Sequence, residues 1–331
     1  MKNWKISTVI LFALGLFCHL LMAQKIVRLP QPVALGSRYE MSSNVLKEKR
    51  QLLIYTPPKS QLPQKYPLIV VFDGESLFET MVSTVKYMNY NSEIPQMPEA
   101  IVVGVLNTKR MRDMPIPHGY GQKLGEEAFR RFVTFELVPE LKKQFPATDL
   151  TILVGHSQGA LFATYLSLSS PLLFPWVMAL DGPFDIHKNT AELEKAYLKL
   201  LKEDRGNMRY FSGEVLYGWQ KQWTEQGSAK QQMKWKDETH ESMPLKGIYE
   251  GLKVLFYDFA PPTKDLNLTA LTKFYESTLR AYKSMIPIPY KVLEASIERK
   301  MGENRKQEIL ELITYGIKQY GPTPRLQSLK T

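Results

Sequence analysis

The pattern of apolar and polar positions along the chain predicts strands that alternate with helices. Residues 36 to 56 alternate in polarity as a β-hairpin does. Five later runs are mostly apolar and have the length of buried strands: 66–72, 100–106, 150–154, 176–180 and 209–211. Helical periodicity lies between or after these runs, in the segments 76–90, 126–143, 218–236 and 245–256. This alternation predicts an α/β fold with a mostly parallel sheet and helices on both faces.

A small helical extension is predicted at the carboxyl end of the chain. Pro261-Pro262 marks a boundary, so we expect a main domain at 24–260 and an extension at 261–331. Apolar residues recur with helical spacing at 271–282 and again at 309–313. The extension is therefore predicted to hold two or three helices, or a single helical hairpin. Two glycines in it predict breaks: Gly316 and Gly321.

The amino terminus has the pattern of a secretory signal peptide. Lys2 and Lys5 precede an apolar run at 9–22, and Ala23 is an acceptable residue before a cleavage point. We therefore expect a signal peptide at 1–23 and a periplasmic or secreted mature protein. The alternative is an uncleaved membrane anchor. After signal removal no stable membrane insertion is expected, because no later stretch approaches the length of a spanning helix.

Cysteine content and charge exclude several functional classes. The single cysteine, Cys18, lies in the predicted signal peptide, so disulfides, zinc–thiolate sites and cysteine nucleophiles are excluded from the mature chain. The formal net charge is +10, but no nucleic-acid-binding motif accompanies the basic residues, and we expect no nucleic-acid partner. The sequence leaves the oligomeric state open.

The candidate chemistry is concentrated where the third apolar run ends. Gly155-His156-Ser157-Gln158-Gly159 follows a predicted strand and precedes a predicted helix, which is the setting of a nucleophile elbow. In such an elbow the hydroxyl of Ser157 is exposed, and the amide N–H of Gln158 points at an oxyanion. The alternative is a glycine-rich connection in which the serine has no chemical role.

A serine nucleophile needs a base, and chain order favours one histidine. In this arrangement the parts should follow one another as serine, acid and histidine. His187 and His240 both follow Ser157, but His187 comes too early to leave room for an acid between them. His240 lies directly before the last predicted helix of the main domain, and we predict that it is the base.

The sequence offers more than one candidate for the orienting carboxylate and for the second oxyanion donor. Glu214 follows the fifth strand and is our first choice for the acid, with Asp237 and Asp181 as alternatives. A Ser–His dyad without a carboxylate is a further alternative. The second oxyanion donor should follow an early strand, which indicates the amide of Gly74 or of Glu75.

Several segments resemble the putative esterase group of α/β hydrolases, over about residues 40 to 260. In chain order they are SSNVLKEKRQLLIYTPP, YPLIVVFDGESLF, PEAIVVGVLNTKRMRDM, VGHSQGA and THESMP. That group contains enterochelin (siderophore) esterases, S-formylglutathione hydrolases, and feruloyl and acetyl-xylan esterases. The resemblance implies an α/β-hydrolase fold, with Ser157 as the nucleophile and His240 as the base. The Asn-x-x-Arg-x-Arg-Asp loop at 107–113 most resembles the siderophore-hydrolase-like branch.

Several residues near the predicted site are candidates for binding the substrate. Asn107, Arg110 and Arg112 lie in the loop, where arginines could bind a carboxylate, a catecholate or a sugar hydroxyl. The alternative is that Arg112 and Asp113 hold their own loop in place. Asp181 begins a segment that lines the site in relatives. In this chain the segment is Asp-Gly-Pro, whereas the relatives often have Ser-Pro-Ser there.

These observations together predict an exported serine esterase that forms an acyl-enzyme. The mechanism requires no cofactor and no metal. The expected partner is a small-molecule or glycan ester, with siderophore esters favoured. The alternatives are a carbohydrate esterase of feruloyl or acetyl-xylan type, and a non-catalytic binding protein with the same fold.

Overall fold

The structure, a computed structural model, describes most of the chain. The described residues are 33–58, 64–91, 94–114, 123–184, 195–197, 199–200, 203, 208–217, 230–283 and 287–328. The predicted signal peptide and His187 lie outside them, as does the first part of the predicted helix at 218–236. Residues 35 to 331 group into one compact unit. Among the described helices, none is long and apolar enough to cross a membrane.

The described residues form an eight-stranded, mostly parallel sheet. Its strands are β1 Ser37–Ser43, β2 Glu48–Tyr55, β3 Tyr66–Phe72, β4 Ile101–Val105, β5 Ala147–His156, β6 Trp176–Leu180, β7 Arg209–Glu214 and β8 Lys230–Lys234. They lie in the order β1-β2-β4-β3-β5-β6-β7-β8. The β1–β2 and β2–β4 pairs are antiparallel, and all later pairs are parallel. The predicted α/β-hydrolase fold class is confirmed.

Helices cover both faces of this sheet. They are α1 Gly74–Tyr90, α2 Arg110–Asp113, α3 Lys123–Arg131, α4 Val138–Gln144, α5 Gln158–Ser169, α6 Met243–Leu255, α7 Leu268–Tyr282, α8 Tyr290–Met301, α9 Lys306–Tyr320 and α10 Pro324–Ser328. A π-helical turn, Phe132–Leu137, joins α3 to α4, so the helix predicted at 126–143 is interrupted in its middle.

The unbroken apolar strands result from burial on both faces. All seven residues of β3 are buried, and Val70 lies between Val103 of β4 and Leu153 of β5. Successive residues of the strand belong to two different apolar clusters, since Ile69 lies in one and Val70 in the other. A central parallel strand therefore has no solvent-facing side that would favour polar residues.

Two local predictions are wrong. The segment predicted as a helix at 218–236 ends in a strand, β8. This strand pairs with β7 and gains main-chain hydrogen bonds from that pairing. Gly316 does not break a helix but lies inside α9, where Leu326 packs against it. A Cβ at this position would lie 3.1 Å from Leu326 Cδ1, so the glycine allows a close approach of α10.

The C-terminal helices share an apolar cluster with the sheet. The ring of Tyr282 in α7 lies 5.3 Å from that of Trp176 in β6, measured between centroids. The Tyr282 hydroxyl donates to Asp258, whose carboxylate also forms an ion pair with the buried Arg209. A helical C-terminal region is therefore present, while the domain boundary at residue 260 stays a prediction.

Candidate active site

Three strained residues lie at the carboxyl ends of three neighbouring strands. Asp73 follows β3 with φ 54° and ψ 48°, Ser157 follows β5 with φ 57° and ψ −121°, and Asp181 follows β6 with φ 47°. Positive φ is uncommon for residues with a side chain, and such strain tends to collect at functional sites. Because β3, β5 and β6 are adjacent, the three side chains share one edge of the sheet.

The turn at Ser157 has the close packing of a nucleophile elbow. A Cβ on Gly155 would lie 2.1 Å from the carbonyl carbon of Gly159, so the turn requires glycine at 155. A Cβ on Gly159 would lie 3.1 Å from Asp73 Oδ2. The amide of Ser157 donates to the carbonyl of Leu180 at 2.8 Å, which ties the elbow to the end of β6. The sequence motif and the backbone geometry therefore agree.

The imidazole of His240 lies beside this elbow. Its ring centroid is 4.3 Å from that of His156, the residue directly before Ser157. Its Nδ1 lies 2.6 Å from Asp181 Oδ2, and the ring of Tyr217 contacts it edge-on at 5.4 Å between centroids. The loop between β8 and α6 thus returns His240 to the sheet edge that carries the serine.

Asp181 is held so that one oxygen faces the imidazole. Its Oδ1 accepts three backbone N–H groups, from Val215 at 2.7 Å, Leu216 at 3.0 Å and Tyr217 at 2.9 Å. The side chain is fully buried. The three amide donors hold Oδ1 in place, and Oδ2 is left directed at His240 Nδ1.

The carboxylate that contacts His240 is not that of Glu214, which was our first choice for the acid. Glu214 is buried at the end of β7, where it accepts hydrogen bonds from the Ser212 hydroxyl at 3.0 Å and the Gln232 amide at 2.8 Å. Asp237 is exposed and forms an ion pair with Lys246. The sheet order explains the difference, because β6 is adjacent to the strand that carries the serine and β7 lies one strand further away.

The two predicted oxyanion donors begin the helices that follow two neighbouring strands. Gly74 is the first residue of α1 and Gln158 is the first residue of α5, at the ends of β3 and β5. The first amides of a helix have no acceptor within it, and they lie at the positive end of the helix dipole. A Cβ on Gly74 would lie 2.6 Å from the carbonyl carbon of Gly104, so glycine lets α1 begin close to β4.

The loop at 107–113 brings two of its polar residues to this edge. Arg110 Nε and Nη2 donate to the two oxygens of Asp73 at 2.7 and 2.9 Å, and its Nη1 donates to Gln158 Oε1. Asn107 Nδ2 donates to Asp73 Oδ1 at 2.7 Å and to Glu75 Oε1 at 2.6 Å. The carboxylate of Asp73 raises the pKa of Arg110. Arg110 keeps a third of its side chain exposed.

Arg112 has a different set of contacts. Its Nε donates to Asp113, and its two Nη atoms donate to Glu48 at 2.9 and 2.7 Å. Asp113 also pairs with the fully buried Arg50 of β2. Hydrogen bonding to Arg112 lowers the pKa of Glu48 to about 2. These contacts favour the alternative in which Arg112 and Asp113 hold the loop in place.

The sequence reasoning missed two residues that contact the site. His156 lies against His240, and burial lowers its pKa, with the neighbouring His240 adding to the effect. Tyr217 contacts His240 from a loop that carries no motif. The only sequence signal for either was the position of His156 inside the elbow. Among the described residues, no group of three His, Cys, Asp or Glu side chains is placed to hold a metal ion.

Comparison with known proteins gives a family match and similarity to curated esterases. The family described as "Putative esterase" matches residues 43–256. The chain is similar to the ferri-bacillibactin esterase BesA of Bacillus subtilis, with 27% identity over 45% of this chain and 58% of the relative. It is also similar to the iron(III) enterobactin esterase of Dickeya dadantii, with 26% identity over 47% of this chain and 35% of the relative. The matches thus span between a third and three fifths of these relatives.

The fold of this chain is also similar to that of a solved structure. The crystal structure of an IroE-like serine hydrolase from Shewanella oneidensis superposes with a TM-score of 0.70. It covers 85% of this chain and 98% of that one, at 24% sequence identity. At this identity the comparison supports the architecture of the sheet and helices.

Proposed function

The chain belongs to the "Putative esterase" family, and from that premise we propose that it is a serine esterase with Ser157 as the nucleophile. The observation that carries the proposal is the contact of Asp181 with His240, whose ring lies beside the elbow. A carboxylate at Nδ1 fixes the tautomer in which Nε2 is free to accept a proton. Asp181 therefore takes the orienting role in place of Glu214.

The reaction follows from this arrangement in two steps. Ser157 Oγ attacks the ester carbonyl while His240 accepts its proton, and the amides of Gln158 and Gly74 stabilise the oxyanion. Each such donor contributes about 3 kcal/mol to lowering the barrier. His240 then donates the proton to the leaving alcohol. Water, activated by the same imidazole, hydrolyses the acyl-enzyme and restores the serine.

A siderophore ester is the proposed substrate class. Two relatives are named as esterases of ferri-bacillibactin and of iron(III) enterobactin, which supports this class for the present chain. The sheet edge offers an aromatic ring at Tyr217, which contacts His240. An aromatic ring at this position suits an aromatic acyl group such as a catecholate.

We also propose that the protein is exported. The proposal rests on the basic residues and apolar run at 1–22, with cleavage after Ala23. Cell fractionation followed by mass spectrometry of the mature amino terminus tests it. A periplasmic or secreted protein that begins at Gln24 is expected, and an intact amino terminus in the membrane fraction would contradict the proposal.

The catalytic role of Ser157 can be tested with a covalent probe. The purified protein is incubated with a fluorophosphonate, which labels activated serines, and compared with Ser157→Ala. Ser170→Ala, at the end of α5, is a matched control. We expect labelling of the wild type and the control and none of Ser157→Ala. Equal labelling of all three would instead favour a non-catalytic binding protein.

The proposed substrate class is tested separately, with a panel of three esters. A catecholate trilactone, a feruloyl arabinose and acetyl-xylan are compared by kcat/KM with the wild-type protein. We expect at least a tenfold preference for the trilactone, which corresponds to about 1.4 kcal/mol of transition-state stabilisation. A preference for either glycan ester would replace the proposed substrate with a carbohydrate ester and leave the serine mechanism intact.

A further inference from the structure

One side chain connects the two strand ends that carry the oxyanion donors. Arg110 donates twice to the carboxylate of Asp73, and through its third nitrogen to the side-chain oxygen of Gln158. We call this set of three hydrogen bonds the Arg110 bridge. It joins the end of β3 to the beginning of α5.

The residues at the two ends of the bridge adjoin the proposed donors. Asp73 directly precedes Gly74, so rotation of Asp73 would turn the amide N–H of Gly74. Gln158 carries the second donor on its own backbone. The bridge therefore fixes the position of one proposed donor relative to the other. Stabilisation of an oxyanion depends on this geometry, because donors must lie about 2.7 to 3.1 Å from the developing charge.

Asp73 has a conformation that needs such support. Its φ of 54° is unfavourable for a residue with a side chain. Its carboxylate lies over the elbow, since a Cβ on Gly159 would be 3.1 Å from Asp73 Oδ2. The side chain is only 10% exposed, so removing its cation would leave a poorly solvated charge. Asn107 supplies a further hydrogen bond, but no positive charge.

We propose that Arg110 is a positioning residue for the oxyanion hole: by bridging Asp73 and Gln158 it sets the geometry of the Gly74 and Gln158 amides. The inference rests on the proposed serine mechanism. It differs from a role in substrate binding, because it predicts an effect on the turnover of esters that carry no charge.

The test is the kinetics of Arg110→Met and Arg110→Lys with p-nitrophenyl acetate, a neutral ester. We expect kcat to fall about 30- to 100-fold in Arg110→Met with KM changed less than threefold, because a displacement of about 1 Å costs on the order of 100-fold. Arg110→Lys keeps the charge but presents its donors from a single nitrogen, which cannot reproduce the planar fork of the guanidinium, and should recover only part of kcat. An unchanged kcat in both variants would overturn the proposal.

A matched control separates the bridge from charge alone. Lys109→Gln removes one positive charge from the same loop, at an exposed residue, and should keep kcat within twofold. The double variant Asp73→Asn/Arg110→Met removes the unpaired carboxylate. Low activity in the double variant supports positioning, whereas recovery to the wild-type kcat would assign the loss to the unpaired carboxylate of Asp73 and contradict the bridge.

Two further measurements distinguish the outcomes. Gln158→Ala keeps the backbone donor and removes one end of the bridge, so Gln158→Ala/Arg110→Met should lose little more kcat than Arg110→Met alone. Phenylboronic acid forms a tetrahedral adduct with an activated serine, and its Ki should rise in parallel with the loss of kcat.

A rise confined to KM for an anionic ester would make Arg110 a substrate-binding residue instead. Absence of wild-type labelling by the fluorophosphonate would overturn the serine mechanism itself.

Discussion

The change Asp181→Asn tests the proposed orienting role most directly. In the wild type, Asp181 Oδ1 accepts three backbone amides at 2.7 to 3.0 Å, and Oδ2 lies 2.6 Å from His240 Nδ1. An asparagine can keep its carbonyl oxygen in the cradle of amides, which can only donate. Its NH₂ group then has to face His240 Nδ1.

The consequence is a change of tautomer. A donor facing Nδ1 requires that Nδ1 carry no proton, so the proton of neutral His240 moves to Nε2. That nitrogen can then no longer accept the proton of Ser157. In serine proteases that use the same triad, exchanging the aspartate for asparagine costs about 10⁴ in kcat. For this protein we expect a loss of about 10³ to 10⁴, or roughly 4 to 5.5 kcal/mol in the barrier.

The assay is kcat for p-nitrophenyl acetate, together with thermal unfolding. We expect a small change in Tm for Asp181→Asn, because the three amides keep their acceptor. Glu214→Gln is the matched control, since its amide oxygen can still accept from Ser212 and Gln232. The control should keep kcat within about threefold. If Glu214→Gln loses more activity than Asp181→Asn, the assignment of the acid is wrong.

Two predictions concern stability. Gly155→Ala should destabilise the fold by about 3 kcal/mol or more, because its Cβ would lie 2.1 Å from the Gly159 carbonyl carbon; an unchanged urea midpoint would refute the packing argument. Glu48→Gln should cost about 1 to 2 kcal/mol at pH 7, because the folded pKa of Glu48, about 2, lies below its ordinary 4.5. That contribution is complete above pH 4.5 and is lost as the pH falls toward 2, so the free energies of unfolding of the two proteins, measured with urea, should converge. A difference in the free energy of unfolding that stays constant between pH 7 and pH 3 would contradict this explanation.

Local sequence was sufficient for the strand–turn–helix at Ser157. The glycines at 155 and 159, an apolar run before them and small residues after them act within a few positions of one another. The same holds for β3 and β4, whose unbroken apolar runs reflect burial on both faces. His240 could be favoured because the order of the parts along the chain restricts the choice.

Tertiary structure decided what depends on neighbours across the sheet. Asp181 and Glu214 both lie where a strand ends and look alike in the sequence, but only the order β5-β6-β7 places Asp181 beside His240. Arg110 and Arg112 are two positions apart, yet one reaches Asp73 and the other reaches Glu48 of β2. Local spacing encodes the turn that presents a side chain, whereas the partner of that side chain is set by strand order and long-range packing.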